Sequence, residues 1–139
     1  MAERAAHLVD HVFPDVPVRQ WVLSLPYRLR YRLAWDHDLC RAVAGVLLRA
    51  VFRVLRERAR DDGVEEGRSG GVSVIQRFGG GANLNLHFHV LSFDGVFARD
   101  ATGTLRFHPT PELTTVDVEE VLATVEALIA RRLRRVGCA

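Results

Sequence analysis

The sequence predicts an α+β domain in which an antiparallel sheet carries its helices packed on one face. Three observations carry that prediction: β-rich runs joined by glycine turns, long segments with helical apolar spacing, and the order strand, helix, strand, strand, helix. At 139 residues the chain has the size of one ordinary domain and is too short for two independent cores. An apolar content of 48% with 26% charged residues excludes a disordered or fibrous class.

Residues 1–17 read as a flexible leader closed by Pro14-Asp15-Val16-Pro17, and residues 18–136 as a single domain. Arg19 to Leu25 is a short β-branched and aromatic run ended by Pro26, which cannot donate to a ladder. Tyr27 to Trp35 fits a short helix with Pro26 at its start. Asp36 then caps a long helix whose apolar stripe is Leu39, Val43, Val46, Leu47, Ala50 and Val54, and Asp61-Asp62-Gly63 breaks it near Arg60. Val72 to Phe78 and Asn83 to Phe93 are β-rich and joined by Gly79-Gly80-Gly81, the pattern of an antiparallel hairpin. Val96-Phe97 and Thr104 to Phe107 suggest a smaller second hairpin. After Pro109 and Pro111, a last helix starts near Thr115 with acidic residues in its first turn and arginines in its last. A closing strand is missing from this order.

The longest apolar stretch, Ala42 to Leu48, falls far short of the roughly 18 residues of a membrane span. With no export signature at the N-terminus, the expected compartment is the cytoplasm, and Cys40 and Cys138 are expected to be free thiols. All 19 basic residues are arginine, which fits either bidentate phosphate contacts or codon bias in a GC-rich genome. The net charge of +2 hides an asymmetry: ten arginines lie between Arg19 and Arg60 against Asp36, Asp38 and Glu57. Such a block suits a polyanion or forms a solvated helix face.

Alternate side chains of a strand share a face, so Asn83, Asn85, His87 and His89 point one way and Leu84, Leu86, Phe88 and Val90 the other. The apolar set belongs in the core. Two adjacent imidazoles then stand on an accessible surface, where they can hold one metal ion or remain plain surface residues. The short turn would fold Gln76 back toward them as a third, neutral ligand.

Trp21, Pro26 and the run from Gln76 to Val96, with its His-Phe-His core, resemble the rolling-circle, two-tyrosine insertion-sequence transposases of the HUH endonuclease superfamily. The resemblance extends from Val18 to about Arg135. It implies a ferredoxin-like palm lacking its last strand and tyrosine helix, and a bacterial transposase core that binds single-stranded DNA at transposon ends and nicks it. It also implies His87, His89 and Gln76 as ligands of magnesium or manganese, with tyrosine nucleophiles that form a covalent 5′-phosphotyrosine. Arg28, Arg30, Arg32 and Arg77 become candidates for tracking the DNA backbone, with Phe78 or Trp21 stacking a base.

The chain departs from that pattern after His89, where no tyrosine follows, and before Val18, where no cysteine-rich module stands. A fragment of a longer transposase is the simpler expectation. The sequence's two tyrosines, Tyr27 and Tyr31, have the Tyr-x3-Tyr spacing of a catalytic pair, although packing and phosphate contact on a basic segment is the simpler reading of them. A non-catalytic DNA-binding remnant and a metal-dependent hydrolase are the competing functions.

Overall fold

The computed structural model describes residues 2–135 and 137. Strand β1 (Val18–Ser24) is followed by helices α2 (Tyr27–Trp35) and α3 (His37–Asp61), strands β2 (Gly71–Phe78) and β3 (Leu84–Phe93), the pair β4 (Gly95–Arg99) and β5 (Leu105–Pro109), and helix α4 (Thr115–Arg135). Ahead of them, α1 (Ala2–His7) and a π-helical stretch (Leu8–Val12) occupy the segment expected to be a flexible leader. The segment is helical, and Phe13 after it meets the ring of Phe93 edge-on at 5.4 Å between centroids.

The main sheet has the order β1-β3-β2, antiparallel throughout, and β4 and β5 form the separate small hairpin the sequence predicts. The chain leaves β1, crosses through α2 and α3, and re-enters as β2 one strand away, so that β3 fills the slot between them. Within the described residues β1 has a strand partner on one side alone. Gly71 opens β2 because its backbone presses on Leu91, whose carbonyl oxygen a Cβ would strike.

Helix α3 starts where predicted, the Asp36 carboxylate accepting from the Leu39 amide at 2.9 Å. It ends at Asp61, with Gly63 at φ +87 just beyond. Its buried surface is wider than the predicted stripe and adds Cys40, Ala44, Val51, Leu55 and Ala59. The cause is double coverage: α3 lies against β2, β3 and β4 on one side and against α4 on the other. From β3, Leu86, Phe88 and Val90 meet this core and are fully buried. At roughly 1.5–3 kcal/mol per buried large apolar side chain, this packing is the main force holding the sheet to α3. Cys40 is a free, buried thiol; Cys138 lies outside the described residues.

Trp21 shares the inward face of β1 with Leu23, and its indole N–H donates to the buried Ser92 hydroxyl at 3.2 Å. It is partly buried against the core, so its ring packs inward from the sheet rather than standing on the histidine face. Arg19, on the same face, forms a two-pronged pair with Asp94 at 2.7 and 2.9 Å, fastening the start of β1 to the turn after β3.

Helix α4 packs on α3 and is tied to it by Asp117, a buried carboxylate. Asp117 accepts from the Thr114 amide at 2.7 Å, from the Thr114 hydroxyl and from the Arg58 guanidinium at 2.7 Å, so it closes the helix start and bridges two helices at once. Arg58 and the Thr114 bonds hold its pKa below the ordinary carboxylate value. A depressed folded pKa gives stability that is complete above the unfolded value of 3.8 and lost as pH falls through the folded one. Asp117→Asn is therefore expected to cost roughly 2 kcal/mol at pH 7 in urea unfolding. The gap from wild type should close as the pH falls below 3.8; a gap that persists there would contradict the ion-pair account.

Candidate metal centre

The strict alternation of β3 buries Leu86, Phe88, Val90 and Ser92 and turns His87 and His89 to the opposite face, where both are half-buried. The two imidazoles lie 4.8 Å apart between centroids, their planes inclined by 60°. Because β3 is central, each histidine has a neighbour on both sides. Gln76 and Ser24 stand directly opposite His87, and Val74 and Val22 opposite His89. Directly opposed residues of an antiparallel pair have Cβ atoms about 5 Å apart. The hairpin thus brings Gln76 to His87 as predicted, with a register irregularity between Gln76 and Phe78 just beyond.

Hydrogen bonds orient these donors. His87 Nδ1 lies 2.8 Å from the Asn85 carbonyl oxygen. A carbonyl only accepts, so the proton sits on Nδ1 and the Nε2 lone pair is free. The Gln76 amide N–H donates to the Phe78 carbonyl at 3.2 Å, which leaves its Oε1 free. His89 Nδ1 meets Gln20 Nε2 at 2.7 Å, while its Nε2 is buried without a hydrogen-bond partner. If Gln20 donates, the His89 proton sits on that orphaned Nε2. If the amide turns over, Oε1 accepts from Nδ1–H and Nε2 becomes a ligand lone pair. Burial, then the neighbouring His87, lowers the pKa of His89, which keeps the ring neutral as ligation requires.

Among the described residues no three His, Cys, Asp or Glu side chains come together. The residue paired with His87 on β2 is Gln76, whose Oε1 is an uncharged oxygen donor. With the Gln20 amide turned over, His89 Nε2, His87 Nε2 and Gln76 Oε1 would be the chain's candidate ligands, an uncharged N,N,O set of a kind that takes divalent ions. The histidines stand half-buried on a sheet face, and a cleft of about 810 Å³ lies elsewhere, among Val64, Ser69, Phe93, Phe97 and His108. A sheet face suits a polymer better than an enclosed small molecule.

Helix α2 borders this face. Arg30 donates to the Leu25 carbonyl and, at 3.0 Å, to the Asn85 side chain, so it braces the residue whose carbonyl orients His87. Arg77 donates to the Ala34 carbonyl at 3.2 Å and meets His37 at 3.0 Å. Both of these predicted backbone-tracking arginines thus make bonds within the protein, while Arg28 and Arg32 are exposed. Tyr27, Tyr31 and Trp35 form an exposed row on α2, at 72%, 56% and 77%. Phe78 is exposed as well.

Sequence reasoning missed Gln20, Ser24 and Trp35. Gln20 and Ser24 had a signal in the alternation of β1 but none for its register on β3. Trp35 continues the four-residue spacing of the tyrosines.

Residues 70–137, from the start of β2 past the end of α4, match the family model described as "Putative transposase". The matched segment includes Gln76, His87 and His89, and the match supports a transposase role for the chain. No curated protein and no solved structure matches it.

The Gln20 contact is open to direct test. Glu at position 20 can only accept from the ring, so Gln20→Glu is expected to fix the proton of His89 on Nδ1 and raise its titration midpoint, both read from nitrogen chemical shifts. Midpoint and tautomer unchanged in this variant would mean that Gln20 does not govern the ring.

Proposed function

We propose that this chain acts on single-stranded DNA in transposition, with His87, His89 and Gln76 holding magnesium or manganese for strand nicking and transfer. The observation that carries the reading is the side-by-side imidazole pair with Gln76 directly across from His87, inside the segment that matches the transposase model. A divalent ion held there would supply charge neutralisation at the scissile phosphate and make a weak nucleophile sufficient. Three uncharged ligands would leave the ion its full double charge for that purpose.

The chain's own groups supply the rest. Tyr27, Tyr31 and Trp35 present three rings in one row of α2, interleaved with the exposed Arg28 and Arg32, which suits bases stacking on rings while guanidinium groups follow the phosphates. The row begins three residues after Ser24, the neighbour of His87, and so leads from the imidazoles along α2. In the nicking step a phenol oxygen of Tyr27 or Tyr31 attacks phosphorus, the 3′ oxygen leaves with a proton, and the 5′ phosphate stays on the tyrosine. The presence of Trp35 in the same row favours a second reading, in which all three rings only stack and the chain binds without cleaving.

Incubation of the full chain with single-stranded DNA and manganese separates the two. The first reading expects a covalent adduct, its loss in His87→Ala together with weakened manganese binding, and its loss in Tyr27→Phe/Tyr31→Phe. An adduct that survives the double Phe variant removes the tyrosines as nucleophiles. Manganese affinity unchanged in His87→Ala removes the metal assignment. Retained DNA binding without any adduct supports the second reading.

A further inference from the structure

We propose that a groove between α3 and α4 is a second nucleic-acid site that takes the phosphate backbone of duplex DNA, separate from the histidine face. Helices α3 and α4 run antiparallel, since Arg58 near the end of one pairs with Asp117 in the first turn of the other. The first half of α3 therefore lies beside the last half of α4. Arg41 and Arg49 from α3 and Arg131, Arg132 and Arg135 from α4 line one groove of about 210 Å³. Val46 and Leu128 contribute apolar wall. Gly45 gives the groove its depth: a Cβ there would come within 3.2 Å of Arg49 Nη1, so the absent side chain lets the guanidinium lie low over α3.

Charge is what makes this groove unusual. No carboxylate lines it, and among the described residues Arg41 alone of its five arginines has an acidic partner, Asp38. Clefts elsewhere that carry arginines also carry carboxylates, Arg68 and Arg99 beside Glu65, Glu66 and Asp100, and Arg58 beside Asp61 and Asp117. Four arginines outside the groove are ion-paired, Arg19 with Asp94, Arg53 with Glu57, Arg58 with Asp117 and Arg106 with Asp100. Arginines in the last turn of α4 also complement its helix dipole. That effect accounts for none of the arginines contributed by the first half of α3. Unneutralised guanidinium groups converging from two helices repel one another, and a polyanion relieves that repulsion while displacing its own counterions.

The choice of duplex over single strand follows from what the groove lacks. Single strands are held through bases stacked on aromatic rings, and no ring lines this groove. A duplex keeps its bases inside and offers phosphates alone. The groove also lies on the helical side of the sheet, with β3 and the body of α3 between it and the histidines. One protein could then grip duplex through α3 and α4 while a single strand lies across the histidine face. This rests on nucleic acid being the substrate, and the test keeps the two assignments apart.

Binding of the full chain to a short duplex and to a single strand is measured across a salt series, with Arg49→Ala/Arg132→Ala, its Lys counterpart, and Arg106→Ala as a charge control. Removing one guanidinium from a phosphate lowers the steepness of log K against log salt by about 0.9 for duplex DNA, so the double Ala variant should fall short of wild type by about 1.8. The Lys variant and Arg106→Ala should keep the wild-type duplex slope, and single-strand adduct formation should be unchanged in all three. The proposal is overturned by a wild type that does not bind duplex, by an unchanged duplex slope in the double Ala variant, or by an equal loss of slope on both DNAs. It is overturned too if the double Ala variant loses binding only to phosphatidylserine vesicles. A wild type lacking His87-dependent cleavage but keeping the groove-dependent slope would remove the nicking assignment and leave this one standing.

Discussion

The register of β3 between β1 and β2 is the constraint on which everything else in the molecule depends. Its period of two puts Leu86, Phe88 and Val90 against α3 and, by the same geometry, His87 and His89 on the opposite face. A slip of one residue would drive both imidazoles into the core and expose Phe88. Core burial on one side of the strand therefore fixes the site on the other. The same register sets Gln76 opposite His87 and brings Gln20 to His89.

Support for the histidines comes from groups that do no chemistry themselves. Asn85 orients His87 through its carbonyl and is itself held by Arg30, which also closes on the Leu25 carbonyl. Arg77 fastens β2 to the α2–α3 junction through Ala34 and His37. Two arginines that the resemblance offers as DNA contacts, Arg30 and Arg77, make bonds that hold α2 against the sheet. The more exposed Arg28 and Arg32, and the row Tyr27, Tyr31, Trp35, remain turned to solvent.

How much of this is legible in the sequence depends on whether the cause is local. The β2–β3 hairpin, the capped start of α3 and the helix from Tyr27 to Trp35 follow from turn residues, a side-chain cap and spacing, and the structure has each of them. Gln76 beside His87 is legible for the same reason, since a short glycine turn sets the pairing. The pairing of β1 with β3 joins segments about 70 residues apart through the packing of α3, so Gln20 beside His89 leaves no local trace. Trp21 did carry a signal, its shared parity with Leu23, which points inward. The broad buried surface of α3 reflects α4 on its far side, a tertiary effect that a single stripe does not reveal.

The central claim is that the imidazole pair and Gln76 form one metal site. Its most direct test is paramagnetic broadening in a nitrogen-labelled full chain titrated with substoichiometric manganese. The ring signals of His87 and His89 and the side-chain amide of Gln76 should broaden first and together. Broadening that begins instead at the acidic stretch of Asp61, Asp62, Glu65 and Glu66, with those three side chains unaffected, would contradict the account.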